Sequence, residues 1–225
     1  MKSIFVIIPV FNEAVVLEQT LKQVLRFGYS VVLVDDGSTQ NISAIIQNYP
    51  VYYLRHRFNL GQGAALQTGI SFALKMNAEF FVTFDADGQH DAEDISRLVE
   101  RLKNDKVDIV FGSRFLTIAP TKIIRLRKLL LHFARFINYF FSGILLSDAH
   151  NGLRVFNKKA AASFKLIENR MSHATEILIQ VKRNKLRYEE LPVHISYTDY
   201  SKKKGQGIFH SFKILQDIIL YKLFK

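Results

Sequence analysis

The 225-residue chain contains no cysteine and no tryptophan. Without cysteine it has no disulfide, no zinc–thiolate centre and no thiol nucleophile, and a reducing compartment is permitted. Gly-Lys-Ser and Gly-Lys-Thr are absent, which excludes a Walker-type phosphate loop, and Gly61-Gln62-Gly63 lacks the third glycine of a dinucleotide fingerprint. The apolar run from Ile4 to Phe11 is broken by Pro9, leads into Asn12-Glu13 and offers no small-residue cleavage site, so it reads as a first strand and not as a signal peptide. Between Thr121 and Leu146 no uncharged apolar run reaches the roughly 18 residues that a spanning helix needs. No internal repeat or low-complexity linker divides the chain, and a single domain of this length buries about 70% of its unfolded surface.

Acidic residues are also scarce. Twenty of them face 31 Lys and Arg, a formal net charge of +11, and the excess lies after residue 120. Such a balance points to polyanionic partners: nucleic acid, an anionic membrane or phosphorylated substrates. Nucleic acid fits poorly, because the Phe residues fall at helical spacing among Leu and Ile, and the acidic strand ends repel a phosphate backbone.

What the sequence does have is organised around Phe80-Phe81-Val82-Thr83-Phe84-Asp85-Ala86-Asp87-Gly88-Gln89-His90. The aromatic and β-branched run reads as a buried strand, and it delivers two carboxylates at its carboxyl end, the edge at which open α/β sheets bind ligands. Asp85 and Asp87, with Gln89 beyond them, are hard oxygen ligands suited to Mg²⁺ or Mn²⁺ bridging to a diphosphate. The competing reading of Asp87, as part of a turn before a helix whose amino end favours acids, rests on Asp91, Glu93 and Asp94.

Short apolar strands at 3–10, 31–34, 51–54, 80–84 and 108–111 alternate with helical segments at 12–27, 62–76 and 92–104. This alternation predicts an α/β domain with a mostly parallel central sheet flanked by helices. Three strand ends, Pro9 to Glu13, Asp35 to Thr39 and Asp85 to Gln89, then converge on one edge. The glycine turn at 61–63 is either an ordinary start to the next helix or a place where backbone approaches a ligand.

In the second half, Arg125, Arg127, Lys128, His132 and Arg135 interrupt Leu, Ile and Phe, and residues 121–146 read as a basic amphipathic helix suited to a membrane surface. Asp148 to Phe156 returns polar groups to a short strand. Glu176, in a helix over His173 to Lys182, is either part of a polar face or aimed at the site. Lys202, Lys203 and Lys204 form a cationic loop suited to phosphate oxygens, and a last amphipathic helix runs from Ile208 to Leu223.

Together, Ile8-Pro9-Val10-Phe11-Asn12-Glu13, Val34-Asp35-Asp36-Gly37-Ser38-Thr39, Asn59-Leu60-Gly61-Gln62-Gly63, Asp85-Ala86-Asp87-Gly88-Gln89-His90, Gly112-Ser113-Arg114 and Asn151-Gly152-Leu153-Arg154 resemble family 2 glycosyltransferases of the GT-A fold. The resemblance is to the branch that includes dolichyl-phosphate mannose synthase and bacterial polyprenyl-phosphate sugar synthases. It implies one GT-A domain over 1–225, with a nucleotide-sugar-binding half at 1–120 and an acceptor and membrane-facing half at 121–225. It implies inverting, metal-dependent transfer from a nucleoside-diphosphate sugar, UDP-linked by the family's habit, to a polyprenyl phosphate for cell-envelope glycan synthesis. By matching positions, Pro9, Phe11, Glu13 and Asp36 hold the nucleoside, Gly61 and Gly63 lie near it, and Asp85, Asp87 and Gln89 hold the metal. Arg114 matches an arginine near the acceptor phosphate, and Lys202 to Lys204 match a loop that closes over the donor.

A phosphate acceptor is already ionised and needs positioning, for which Arg114, Arg125 and Arg127 are the candidate clamps. A sugar-hydroxyl acceptor needs a general base, with Asp148, Glu176 or His173 as candidates. Many relatives end in transmembrane helices; this chain reaches Lys225 without one. The expectation is therefore a cytoplasmic protein, peripheral on the inner face of the cell membrane, with a small membrane-spanning partner protein as a possible companion.

Overall fold

The computed structural model describes residues 3–104, 106–116, 139–140, 142–167 and 173–196. Among these residues seven strands form one sheet: β1 (Ile4–Val10), β2 (Ser30–Asp35), β3 (Val51–Arg55), β4 (Phe80–Thr83), β5 (Ile109–Ser113), β6 (Arg154–Asn157) and β7 (Tyr188–Pro192). Their order is β3-β2-β1-β4-β6-β5-β7. Only β6 runs against the rest: it pairs antiparallel with β4 and β5, and every other pairing is parallel. The mostly parallel sheet read from the alternation is thus observed. The helices are α1 (Ala14–Leu25), α2 (Ile42–Ile46), α3 (Gln62–Lys75), α4 (Glu93–Lys103), α5 (Lys158–Ser163) and α6 (His173–Arg183).

β1, β2 and β4 are apolar on both sides because the sheet is covered on both faces. Val6, Ile8, Val31, Leu33 and Val82 pack with α1, α2 and α4 through Leu17, Leu21, Ile42, Ile95 and Leu98. Phe5, Ile7, Val32, Val34 and Phe81 pack on the other side with Leu66, Ile70 and Ala73 of α3 and with Ile177, Leu178 and Val181 of α6. Phe81 and Phe156 stack across β4 and β6 with centroids 5.7 Å apart. Among the described residues no helix is long and apolar enough to cross a membrane.

Two short helices, α2 and α5, were not legible as separate elements. Each is capped by an asparagine, Asn41 accepting from the Ala44 N–H and Asn157 from the Ala160 N–H. The strand β7, at Tyr188–Pro192, was likewise not legible. Helix α1 begins at Ala14, two residues later than expected, since Asn12 takes a left-handed φ of 58°.

The chain connections reverse direction beside β1, with β2 on one side and β4 on the other, and the crevice outside the carboxyl ends of such strands is where open α/β sheets take ligands. The antiparallel β6 starts at that same edge, since Arg154 pairs with Thr83, so the loop before it is delivered to the crevice.

A Cβ on Gly69 of α3 would lie 2.3 Å from Ile7 Cγ2 and 3.3 Å from Val34 Cγ2. The close approach of α3 to the sheet depends on this hydrogen. Gly69→Ala is expected to lower stability by about 1–3 kcal/mol, read as a fall in the denaturant midpoint at unchanged m-value.

Candidate active site

Each polar strand end at the carboxyl edge fastens a loop. Asp36 Oδ1 accepts from the Leu60 N–H at 2.9 Å and is 2.7 Å from His56 Nδ1, while Oδ2 accepts from the Gly61 N–H at 2.7 Å. The approach of residues 58–59 requires Gly37, where φ is 74° and a Cβ would lie 2.6 Å from the Phe58 carbonyl carbon. Asn12 Oδ1 accepts from the Thr39 N–H and hydroxyl, and the Asn12 N–H donates to Ser38 Oγ, so the ends of β1 and β2 are tied together. Beside them Phe11 is exposed, Pro9 is half-buried, and Glu13 is buried with its carbonyl starting α1.

The glycine turn also reaches the paired acids: Gln62 Nε2 donates to Asp85 Oδ1 at 2.9 Å. Asp85 Oδ2 lies 3.3 Å from His90 Nε2, whose ring is buried against Phe84. On its remaining side, Asp85 is pressed by the backbone of Gly152, where a Cβ would fall 1.9 Å from Oδ2. Asp87, two residues on, takes the Gln89 N–H at 3.1 Å and Gln89 Nε2 at 2.6 Å. Gln89 thus presents its amide nitrogen to Asp87, and its backbone carbonyl accepts from the Ser196 N–H at 2.8 Å.

Burial opposes ionisation of Asp85, but the hydrogen bond and charge of His90 and the charges of Arg154 and His173 outweigh it and hold the carboxyl below its ordinary value. Asp87 moves the other way, pushed up by burial and by the charge of Asp85. Both acids offer hard oxygens, and a divalent cation beside them would offset the repulsion that Asp85 exerts on Asp87, so the donor set fits such an ion. Among the described residues no three His, Asp or Glu side chains gather to hold a metal, so a cation here would draw its remaining ligands from substrate oxygens and water.

The second half of the site is an ion pair. Asp148 Oδ2 accepts from Arg114 Nε at 2.6 Å, from the Arg114 N–H at 3.1 Å and from Asn151 Nδ2 at 3.1 Å. Between this pair and Asp85 stands Arg154, buried, with its Nε lacking a hydrogen-bond partner; burial lowers its pKa to about 10, and it remains a cation near neutrality. Glu176 is buried at the first turn of α6, where both its oxygens accept from the Ile167 N–H at 3.0 and 3.1 Å, and His173 is buried beside it. Arg125, Arg127 and Lys202 to Lys204 lie outside the described residues.

The structure therefore joins Asp36, Gly61, Gln62, Asp85, His90 and Gly152 in one contact chain, with Asp87 and Gln89 alongside. Gln62, His90 and Arg154 were present in the motifs but carried no role; their signal was only their place beside residues that did. Glu190 had no signal at all.

Fold and site define a GT-A α/β protein with acids at the carboxyl edge of its sheet, beside the switch point. The family model for glycosyl transferase family 2 matches residues 5–164, and the chain belongs to that family. It is 32% identical over 245 residues to a UDP-N-acetylglucosamine–dolichyl-phosphate N-acetylglucosaminyltransferase of Methanococcus voltae, covering 100% of this chain and 98% of that one. It is 25% identical to a dolichyl-phosphate beta-glucosyltransferase of Saccharomyces cerevisiae, covering 97% and 73%. Glucosyl-3-phosphoglycerate synthase from Mycobacterium tuberculosis, solved with Mn²⁺ and UDP-glucose, shares the fold with a TM-score of 0.73 at 14% identity, covering 97% and 77%.

Two outcomes follow from this geometry. Gly152→Ala displaces Asp85 and is expected to cut sugar transfer by about 100-fold or more, measured as kcat at saturating substrates. The second concerns His150, whose pKa is pushed down to about 4 by burial and by the charge of Arg154. The unfolded chain then takes up the proton first, so stability falls as pH drops from about 6.5 toward 4. His150→Gln is expected to flatten that part of a urea-midpoint profile.

Proposed function

We propose that this family 2 glycosyltransferase moves a hexosyl or N-acetylhexosaminyl group from a UDP-sugar to the phosphate of a polyprenyl phosphate, with inversion, at a membrane surface. The observation that carries the reading is the contact of Asp85 with the Asp36-fastened glycine turn at the switch point, with Asp87 two residues on and Arg154 between Asp85 and the Arg114–Asp148 pair. The names of the similar proteins, with dolichyl phosphate as acceptor and UDP-N-acetylglucosamine as one donor, support it.

In this mechanism Asp36 and the 60–61 backbone shape the nucleoside end, with Phe11 open beside it. Asp85 and Asp87 would hold a divalent cation, which when bound neutralises the diphosphate as it leaves. His90 and Gln62 keep Asp85 aimed, and Arg114 receives the acceptor phosphate, whose oxygen attacks the anomeric carbon. Of the three candidate bases for a hydroxyl acceptor, Asp148 and Glu176 accept hydrogen bonds from protein groups and His173 is buried, which supports an acceptor that needs no base. Ser196 is anchored on Gln89, six positions before Lys202 in the sequence, and Lys202 to Lys204 are assigned to the donor phosphates in this reading.

Exposed Leu116, Tyr139, Phe140, Leu145 and Ile167 lie on or next to the segments that carry Arg114, Asp148 and Glu176, and they offer apolar contact around the acceptor side. With the basic second half, they support peripheral attachment to the cytoplasmic leaflet in service of an envelope glycan.

Radiolabelled UDP-N-acetylglucosamine and UDP-glucose are to be incubated with dolichyl phosphate, Mg²⁺ or Mn²⁺, and either wild type or Asp87→Ala. Label entering a lipid that releases its sugar in mild acid is the expected result, with activity in the variant down by about 10³-fold or more. Label confined to longer glycans would replace the phosphate acceptor with a hydroxyl one.

A further inference from the structure

We infer that Glu190, on the edge strand β7, is a positioning residue for the acceptor half of the site, acting through Ser147 and Asp148 on Arg114; this rests on the reading of Arg114 as the acceptor-phosphate clamp. Residues 143–153 lead into β6 without belonging to a helix or strand, so their backbone N–H groups have no ladder to satisfy them. For Ser147 and Asp148 the Glu190 carboxylate serves as that partner. Its Oε1 and Oε2 accept from the Ser147 N–H at 2.8 and 2.9 Å, and Oε1 also accepts from the Ser147 hydroxyl at 2.7 Å and the Asp148 N–H at 3.3 Å.

The same loop is tied to the end of β5. Ser147 Oγ lies 2.6 Å from Ser113 Oγ, which accepts from the Phe115 N–H at 3.2 Å. Asp148 then holds the intervening Arg114 by both its backbone and its guanidinium. Three segments distant in sequence meet here: 113–115, 147–148 and 190. With its backbone oriented by Glu190, Asp148 directs its carboxylate at Arg114. The neighbouring Glu189 instead pairs with Arg101 of α4 through Arg101 Nε at 2.6 Å, on the far side of the strand, so the two adjacent glutamates do different work.

A carboxylate accepting this many bonds at one loop is a fixed support, and losing it frees the loop and with it the Arg114 orientation. Among the described residues no hydrogen bond or ion pair joins Glu190 to the donor side, built from Asp36, Gly61, Gln62, Asp85 and His90, so the donor side is expected to change little on its loss.

The experiment compares wild type, Glu190→Ala, Glu190→Gln, Arg114→Ala and the Glu190→Ala/Arg114→Ala double variant as full chains. KM for dolichyl phosphate and for the UDP-sugar are measured separately, alongside the thermal midpoint. Glu190→Ala is expected to raise the acceptor KM about tenfold, with the donor KM changed less than about twofold; Glu190→Gln, which keeps one accepting oxygen, is expected to fall between. In the Arg114→Ala background, loss of Glu190 should have no further effect on the acceptor KM. Equal rises in both KM values, or additive effects in the double variant, would overturn the inference and leave Glu190 a structural brace. Should Glu190→Ala fail to fold, Glu190→Gln decides by the same split. An unchanged acceptor KM in Arg114→Ala alone would instead overturn the clamp reading on which the inference rests.

Discussion

A carboxylate at the end of a covered strand cannot keep its water, and the carboxyl edge of this sheet holds several. Each is satisfied by donors from a loop, so the loop takes its place from the acid. Asp35 holds the Ser38 N–H and the Tyr53 hydroxyl, and Asp36 holds the Leu60 and Gly61 N–H groups. Asp85 holds Gln62, Asp148 holds Arg114, and Glu190 holds Ser147. An unpaired buried acceptor costs on the order of 1–3 kcal/mol, and more when it is charged, which makes these pairings the constraint on every loop around the crevice. The site is preorganised because the acids that surround it are also its fasteners.

The same device stabilises the opposite end of the sheet without chemical consequence. Asp108, buried where β5 begins, accepts from the Arg187 N–H and guanidinium, Asn157 Nδ2 and Lys159 Nζ. Burial works against its ionisation, and these four donors outweigh it to hold its pKa well below the usual range. Its stabilising share is therefore complete above an ordinary carboxylate pKa and is lost as pH falls below it. Asp94 similarly holds the His194 N–H at 2.6 Å, guiding the chain from β7 back toward Gln89. What separates Asp85 and Asp87 from these is an environment that leaves one acid below and the other above its ordinary pKa, a charge arrangement that a cation relieves.

Much of the fold was legible because a sheet covered on both faces writes itself as short apolar runs. The strands at 3–10, 31–34 and 80–84 needed no tertiary information, and neither did the placing of their polar ends on one edge. The glycine turn was ambiguous because a turn that starts a helix and a turn that meets a ligand use the same residues. Its bonds to both Asp36 and Asp85 show that it does the first while linking two parts of the site. Helices α2 and α5 escaped notice because five or six residues carry too little periodicity to separate from a loop.

The sequence by itself determined the class of protein. Hydrophobic period, the order of the motifs and the two acids after a buried strand depend on local chemistry, and local chemistry is written in contiguous residues. Tertiary structure alone decided the partners. The reversed direction of β6 brings Gly152 against Asp85 and places Arg154 between Asp85 and Asp148. The pairing of β7 with β5 brings Glu190 to a loop more than 40 positions away. Such contacts depend on which strands lie side by side and in which direction. That choice is made by the packing of the whole core, and no single stretch of the chain carries it.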